Sequence, residues 1–154
     1  MAKSMQKRTK REDVLKAASD QNVSFVRLWF TDVLGMLKSV EMTVDRLEDV
    51  LTSGGGFDGS SVEGYARIEE SDVIAMPDPA TFAILPWRAK DGSAVARMFC
   101  DVLTPEGDPY EGDPRRALRR NLERAKGMGY TCCVGPELEF FYFRDSKGTE
   151  LRPK

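Results

Sequence analysis

Two carboxylates two residues apart, Glu137 and Glu139, stand in the run Gly135-Pro136-Glu137-Leu138-Glu139-Phe140-Phe141-Tyr142-Phe143. The apolar setting reads as a strand over Thr131–Phe143. Alternation then puts both glutamates on one face, roughly 6–7 Å apart, with Leu138 on the other. Two negative charges buried side by side are costly unless something neutralises them, and hard divalent cations take carboxylate oxygens. The other reading of the same residues is an edge strand with two solvated glutamates. Too little chain follows Phe143 to complete a cage, so the expectation is a metal site begun and not finished within these residues.

A second acidic group lies in Phe57-Asp58-Gly59-Ser60-Ser61-Val62-Glu63-Gly64-Tyr65. The oxygens of Asp58, Ser60, Ser61 and Glu63 suit a small cation or an amine, and no positive charge intervenes before Arg67. The segment lacks the Lys-Ser/Thr ending of a P-loop and the strand-Gly-x-Gly-helix context of a dinucleotide site. A plain surface loop is the alternative. The chain has no histidine. That excludes Ser-His-Asp and Cys-His catalysis, and any histidine-containing metal shell, from these residues alone.

The elements that must position these groups follow from periodicity. Thr9–Asp20 reads as a short amphipathic helix, with Lys7, Arg8, Lys10 and Arg11 at its solvated start. Val23–Thr31 and Met36–Thr43 alternate and are rich in β-branched and aromatic residues. They form a hairpin around Asp32-Val33-Leu34-Gly35, with Gly35 free to take positive φ. Asp45–Thr52 predicts a helix with Asp45 as N-cap and Ser53-Gly54-Gly55-Gly56 as terminator. Residues 57–71 carry no period and read as loop. Strands follow at Val73–Met76, Thr81–Leu85 and Ala94–Val102. Two strands, a helix across them and more strands make an α+β arrangement with a helix on one face of a mixed sheet, the order of a β-grasp fold.

A turn-rich boundary falls at Thr104–Pro109. Beyond it Asp113-Pro114 starts a helix that runs to about Met128, with a narrow apolar stripe of Leu118, Leu122 and Ala125. Its Arg115, Arg116, Arg119, Arg120 and Arg124 read as a solvated or interfacial face. Helix then strand reads as the opening of a second, incomplete domain.

Composition bounds the class. At 154 residues and 41% apolar the chain can bury a core, and its formal net charge of −2 gives no general attraction to nucleic acid or anionic membrane. No apolar run reaches transmembrane length, and the N-terminus lacks the apolar stretch of a signal peptide. Cys100, Cys132 and Cys133 show no CxxC spacing, which points to reduced thiols and a cytoplasmic setting.

Taken together, these motifs resemble glutamine synthetases of the bacterial type I class, over nearly the whole chain. The matching stretches are Gly35-Met36-Leu37-Lys38-Ser39-Val40, FDGSSVEG at 57–64, Ile68-Glu69-Glu70-Ser71-Asp72, Pro77-Asp78, Thr81, Pro86-Trp87, Cys100-Asp101, Asp113-Pro114-Arg115 and Gly135-Pro136-Glu137-Leu138-Glu139-Phe140-Phe141. The resemblance implies a β-grasp domain at 9–107 and the first helix and strand of an α/β catalytic domain at 108–154. It implies that Glu137 binds the metal near the nucleotide phosphates and Glu139 the metal near glutamate, with Mg²⁺ or Mn²⁺ as the ion. It implies that Asp58 reaches a neighbouring subunit's active site to bind and deprotonate ammonium.

The activity implied is synthesis of glutamine from glutamate, ammonia and ATP in a homo-oligomer, a dodecamer of two hexameric rings. The remaining metal ligands, the nucleotide segment and the glutamate-binding arginines of the family match nothing in these 154 residues, so the isolated chain is expected to be inactive. Two other functions fit the same residues: a γ-glutamyl-amine ligase, which the retained Asp58 disfavours, and a non-catalytic assembly module.

Overall fold

A computed structural model of the chain describes residues 10–62, 64, 72–87 and 92–142. The chain divides into two compact units, one ending at Asn121 and the other starting at Leu122. In the first unit the order is α1 (Arg11–Asp20), β1 (Val23–Thr31), β2 (Leu37–Thr43), α2 (Leu47–Ser53), β3 (Gly55–Asp58), β4 (Asp72–Pro77), β5 (Ala83–Ile84), β6 (Ala94–Leu103) and the first turns of α3 (Pro114–Gly127). The sheet runs β2-β1-β6-β4-β3, with β5 on β6. β1 and β6 are parallel and every other pair is antiparallel. This is the expected mixed β-grasp sheet.

Strand alternation decides what is inside. Val26, Leu28 and Phe30 of β1 and Ala96, Met98, Cys100 and Val102 of β6 point into one core. There they meet Val14 and Ala18 of α1 and Leu47, Val50 and Leu51 of α2. Leu28, Val14, Val26 and Met98 have no exposed surface at all. On the other face Arg27 pairs with its cross-strand partner Glu41 at 2.6 Å, and the Arg97 guanidinium lies 5.6 Å from the Trp29 ring centroid and 4.7 Å from that of Phe99. The hairpin turns at Asp32–Gly35, and Gly35 takes φ +80° as its sequence predicts. Asp32 is buried and accepts from the N–H groups of Leu34 and Met36, each at 2.9 Å, and from Lys38 at 3.3 Å.

Two local expectations are corrected here. The helix expected from Asp45 begins instead as a 3-10 turn, Val44–Arg46, before α2 starts at Leu47, and Asp45 caps nothing. Gly55, Gly56, Phe57 and Asp58, read as terminator and loop, form the edge strand β3 against β4. Only Gly54 terminates α2, with φ +77°. A Cβ on Gly55 would stand 2.7 Å from Leu28 Cδ1, so a larger residue there would have to displace the end of the Leu28 side chain. Thr9, Glu63, Tyr65 and residues 67–71 lie outside the described residues.

The turn-rich stretch expected at Thr104–Pro109 is a tight turn. Thr104 donates to the Asp108 carbonyl at 2.7 Å, Leu103 bridges Pro109, and Tyr110 N–H donates to the Val102 carbonyl at 2.9 Å. Beyond Phe99, where β1 stops accompanying β6, this returning segment satisfies the strand's main chain. Asp113, with 1% of its surface exposed, completes it: Oδ2 accepts from Val102 N–H at 3.0 Å while Oδ1 accepts from Arg115 N–H at 2.9 Å, capping α3.

In the second unit α3 ends at Gly127, and Gly129 adopts φ +86° as the chain turns away. The strand expected over Thr131–Phe143 does not form: residues 130–142 carry no helix and no ladder. A strand needs a neighbour to take its N–H and C=O groups, and no described residue pairs with this segment. Leu138, Phe140, Phe141 and Tyr142 are all exposed, and Phe143 lies outside the described residues. The α3 stripe is likewise unburied, with Leu118 and Leu122 exposed.

Candidate functional site

Asp58 ends β3 at the outer edge of the sheet, on an exposed position. Its Oδ1 accepts from Ser60 N–H at 2.9 Å and from Ser60 Oγ–H at 2.7 Å, and its carbonyl accepts from Ser61 Oγ–H at 2.7 Å. These bonds wind Gly59–Ser61 into a 3-10 turn with Asp58 as its N-cap. The two serines of the motif therefore act on the aspartate itself: they fix its carboxylate and its backbone. Gly64 lies against the hairpin turn, where an added Cβ would meet Val33 Cγ2 at 2.3 Å.

Directly across the β3–β4 ladder from Asp58 is Asp72, also exposed. Like charges at opposed positions repel, so this edge favours a cation. Both line an open hollow of about 440 Å³ with Gly56, Phe57, Val73, Ile74 and Pro105. Asp72 ends the Ile68-Glu69-Glu70-Ser71-Asp72 stretch of the sequence, but only the strand register reveals it as the partner of Asp58.

Glu137 and Glu139 are both exposed, on the segment of the second unit that carries no ladder. Their shared strand face, argued from alternation, is therefore not formed here. As donors they suit a hard divalent cation, since both offer carboxylate oxygens. No group of three or more His, Cys, Asp or Glu able to hold a metal occurs among the described residues. The carboxylate pair thus fits such an ion in chemistry, and supplies two ligands of the six to eight oxygens such ions commonly take.

The sequence predicts a solvated or interfacial face for the arginines of α3, and four of the five are paired. Arg115 bridges two carboxylates, Asp78 at 2.8 Å and Asp101 at 3.0 Å. Arg119 adds a bond to Asp101 at 2.7 Å, and Arg116 and Arg120 both meet Glu111. Burial works against ionisation of Asp78, but the Arg115 hydrogen bond and the two guanidinium charges hold its carboxyl below the usual carboxylate range. At Asp113 burial wins: with the Asp101 charge nearby, it pushes the carboxyl up despite the bonds from the Val102 and Arg115 N–H groups. Partners 14 and 37 residues away leave no local signal in the sequence. No helix among the described residues is long and apolar enough to cross a membrane.

Comparison with known proteins agrees with this architecture. The family model "Glutamine synthetase, beta-Grasp domain" matches residues 22–105, and "Glutamine synthetase, catalytic domain" matches residues 111–153. The glutamine synthetase of Mycolicibacterium smegmatis is 52% identical over 145 residues, which is 94% of this chain and 32% of that protein. That of Methanosarcina mazei is 49% identical over 151 residues, 96% of this chain and 34% of its own length. Among solved structures, a GmaS/ADP complex superposes with a TM-score of 0.67 at 30% identity, covering 75% of this chain and 26% of the other. The chain thus spans about a third of the length of the curated relatives it matches.

Proposed function

The chain belongs to the glutamine synthetase family, and we propose that it is the N-terminal part of an ATP-dependent ligase that makes glutamine from glutamate and ammonia. The β-grasp domain spans 9–107 and the catalytic domain opens at 108. The observation that carries this reading is the extended match to glutamine synthetases, about half identical over nearly the whole chain, with the FDGSS and GPELEF motifs intact.

In the reaction the γ-carboxylate of glutamate is phosphorylated by ATP, and ammonia then displaces phosphate. Glu137 would hold the divalent ion near the nucleotide phosphates and Glu139 the one near glutamate. Mg²⁺ or Mn²⁺ there supplies charge neutralisation during phosphoryl transfer. The part that falls to Asp58 is to attract ammonium to the acidic sheet edge and accept a proton from its nitrogen, leaving the lone pair free to attack. The Ser60 bonds hold one carboxylate oxygen in place for that task. Asp58 acts on the active site of a neighbouring subunit in a ring-shaped homo-oligomer, a dodecamer of two hexamers, in the cytoplasm.

The test is Asp58→Asn in the full-length protein. Ammonia-dependent product formation should fall by roughly 10²–10⁴-fold, the range for a positioned acid–base group, with ATP and glutamate affinity little changed. Glu137→Gln or Glu139→Gln should instead weaken metal dependence and phosphoryl transfer. Oligomers mixed from Asp58→Asn and Glu139→Gln subunits should recover activity at sites that combine two intact halves. A loss in Asp58→Asn no larger for ammonia use than for phosphoryl transfer would remove Asp58 from this role.

A further inference from the structure

The backbone at Asp58 is fixed from both sides. Before it, Phe57 stacks on Phe30 of β1 with ring centroids 4.5 Å apart, and the β3–β4 ladder runs through Asp58 itself. After it, Val62 N–H closes the 3-10 turn on the Gly59 carbonyl at 3.0 Å, and Ser61 Oγ–H holds the Asp58 carbonyl at 2.7 Å. Ser60 N–H adds a bond to Asp58 Oδ1 at 2.9 Å. These contacts account for the turn without the Ser60 hydroxyl. The hydroxyl donates instead to the same Oδ1, at 2.7 Å, so its bond bears on the carboxylate alone. A carboxylate oxygen offers two lone-pair sites, and the two Ser60 donors match that number on Oδ1.

We infer that the Ser60 hydroxyl is a positioning group for Asp58: it sets the rotation of the exposed carboxylate and favours its ionised form, against the opposing charge of Asp72. This rests on the proposed role of Asp58 in the ammonia step. Hydrogen bonds donated to a carboxylate favour its charged state, whereas a like charge nearby disfavours it. Among the described residues lining the hollow, Asp72 is the other titratable group, and it stands directly across the ladder. The turn residues Gly59, Ser60 and Ser61 bring no charge of their own. A carboxylate already held in one orientation also loses less freedom when ammonium arrives, which is the advantage of a prepositioned base.

The experiment compares Ser60→Ala and Ser60→Thr with the parent, and uses Asp58→Asn as the reference for the ammonia step. In the 154-residue chain the Asp58 side-chain carboxyl is titrated by carbon-13 NMR. Ser60→Ala should titrate about 0.5–1 pH unit above the parent, the scale of one lost bond to a charged group at an exposed site, and Ser60→Thr should titrate with the parent. Amide signals of β3 and β4 should stay in place in both variants, because the turn closes without the hydroxyl. In the full-length protein, kcat/KM for ammonia should fall about tenfold in Ser60→Ala, with KM for ATP and for glutamate unchanged. The acid limb of that profile should move to higher pH by the interval the NMR titration gives. Threonine, which keeps the hydroxyl, should restore both the rate and the limb.

A carboxyl that titrates alike in Ser60→Ala and the parent would overturn the inference whatever Asp58 does in catalysis. Unaltered ammonia kinetics in Ser60→Ala, alongside a loss in Asp58→Asn, would overturn the positioning role and leave Asp58 in its place. Undiminished ammonia use in Asp58→Asn would overturn the role of Asp58 and the inference with it. A loss in Ser60→Ala shared equally by ATP and glutamate, or one that threonine does not restore, would mark a residue that only supports the turn, and that result also overturns the inference.

Discussion

Replacing Asp113 by alanine should destabilise the whole first unit, although the residue lies beyond the last strand of its sheet. The side chain makes two hydrogen bonds from a site with 1% exposure. Losing the cap on α3 costs about 1 kcal/mol. Leaving the Val102 N–H without a partner inside β6 adds about 1–3 kcal/mol. The sum is about 2–4 kcal/mol, or on the order of 10 °C in melting temperature for a unit of this size. Urea unfolding followed by Trp29 fluorescence reads the sheet directly, because Trp29 lies on β1 against Phe99. Trp87, which is more than half exposed, is first replaced by phenylalanine. Asp113→Asn should be intermediate, since its amide keeps one acceptor where two donors converge. Asp108→Ala, at an exposed turn position, should stay within about 0.5 kcal/mol of the parent.

The pH dependence has a definite sign. A carboxyl whose folded pKa is raised binds its proton more tightly when folded, so stability is lost as pH rises from the unfolded value through the folded one. The parent should lose a little stability over that acid range that Asp113→Asn does not. A destabilisation by Asp113→Ala under about 0.5 kcal/mol would show that residues 104–113 add nothing to the sheet's stability, and refute the reasoning.

Gly54→Ala should cost at least about 2 kcal/mol in the same urea assay, because its φ of +77° is reserved for glycine and the new Cβ would lie 2.3 Å from Ile74 Cγ2. In the native 154-residue chain, Cys132 and Cys133 should react rapidly with a thiol reagent such as DTNB while Cys100 reacts only on unfolding, since burial pushes its thiol far up and encloses it; three fast thiols would contradict that. Asp32→Asn should flatten the acid limb of the stability curve: burial pushes this carboxyl up, but the Met36 and Leu34 N–H groups and Lys38 hold it below its usual range. Its contribution is present above the unfolded pKa and lost as pH falls through the folded one, so a variant with an unaltered slope below about pH 4 would count against it. The pure 154-residue chain should show no γ-glutamyl transfer; detectable activity would sink the view that the site needs residues this chain does not carry.

What the sequence made legible were elements whose own side chains state their environment. Val23–Thr31 alternates so regularly that its bounds agree with β1 to the residue. Asp113-Pro114 announced its helix start. What it concealed depended on distant partners. Gly55-Gly56 has no intrinsic preference for a strand, and β3 exists because β4 supplies a ladder. The converse holds for the strand expected over Thr131–Phe143, which rested on an apolar setting: no described residue provides a neighbour for residues 131–142. Asp58 was visible as chemistry, but its opposition to Asp72 needed the register. Arg115 looked like surface until the sheet brought Asp78 and Asp101 beneath it.

The parallel pairing of β1 with β6 has a consequence for synthesis on the ribosome. β1 is made first of the strands and its hairpin with β2 closes locally, yet its other edge waits some seventy residues for β6, from Val23 to Ala94 in the register. β6 is also the strand that joins β1 to β4, so the sheet stays in two pieces until residue 103 has left the exit tunnel. Throughout that interval the hairpin presents an unpaired edge and the apolar face of Val26, Leu28 and Phe30. Non-local pairing of this kind closes late and leaves aggregation-prone surface open in the meantime. A nascent chain stalled near residue 90 should therefore hold chaperones, and one stalled far enough on for Asp113 to emerge should release them.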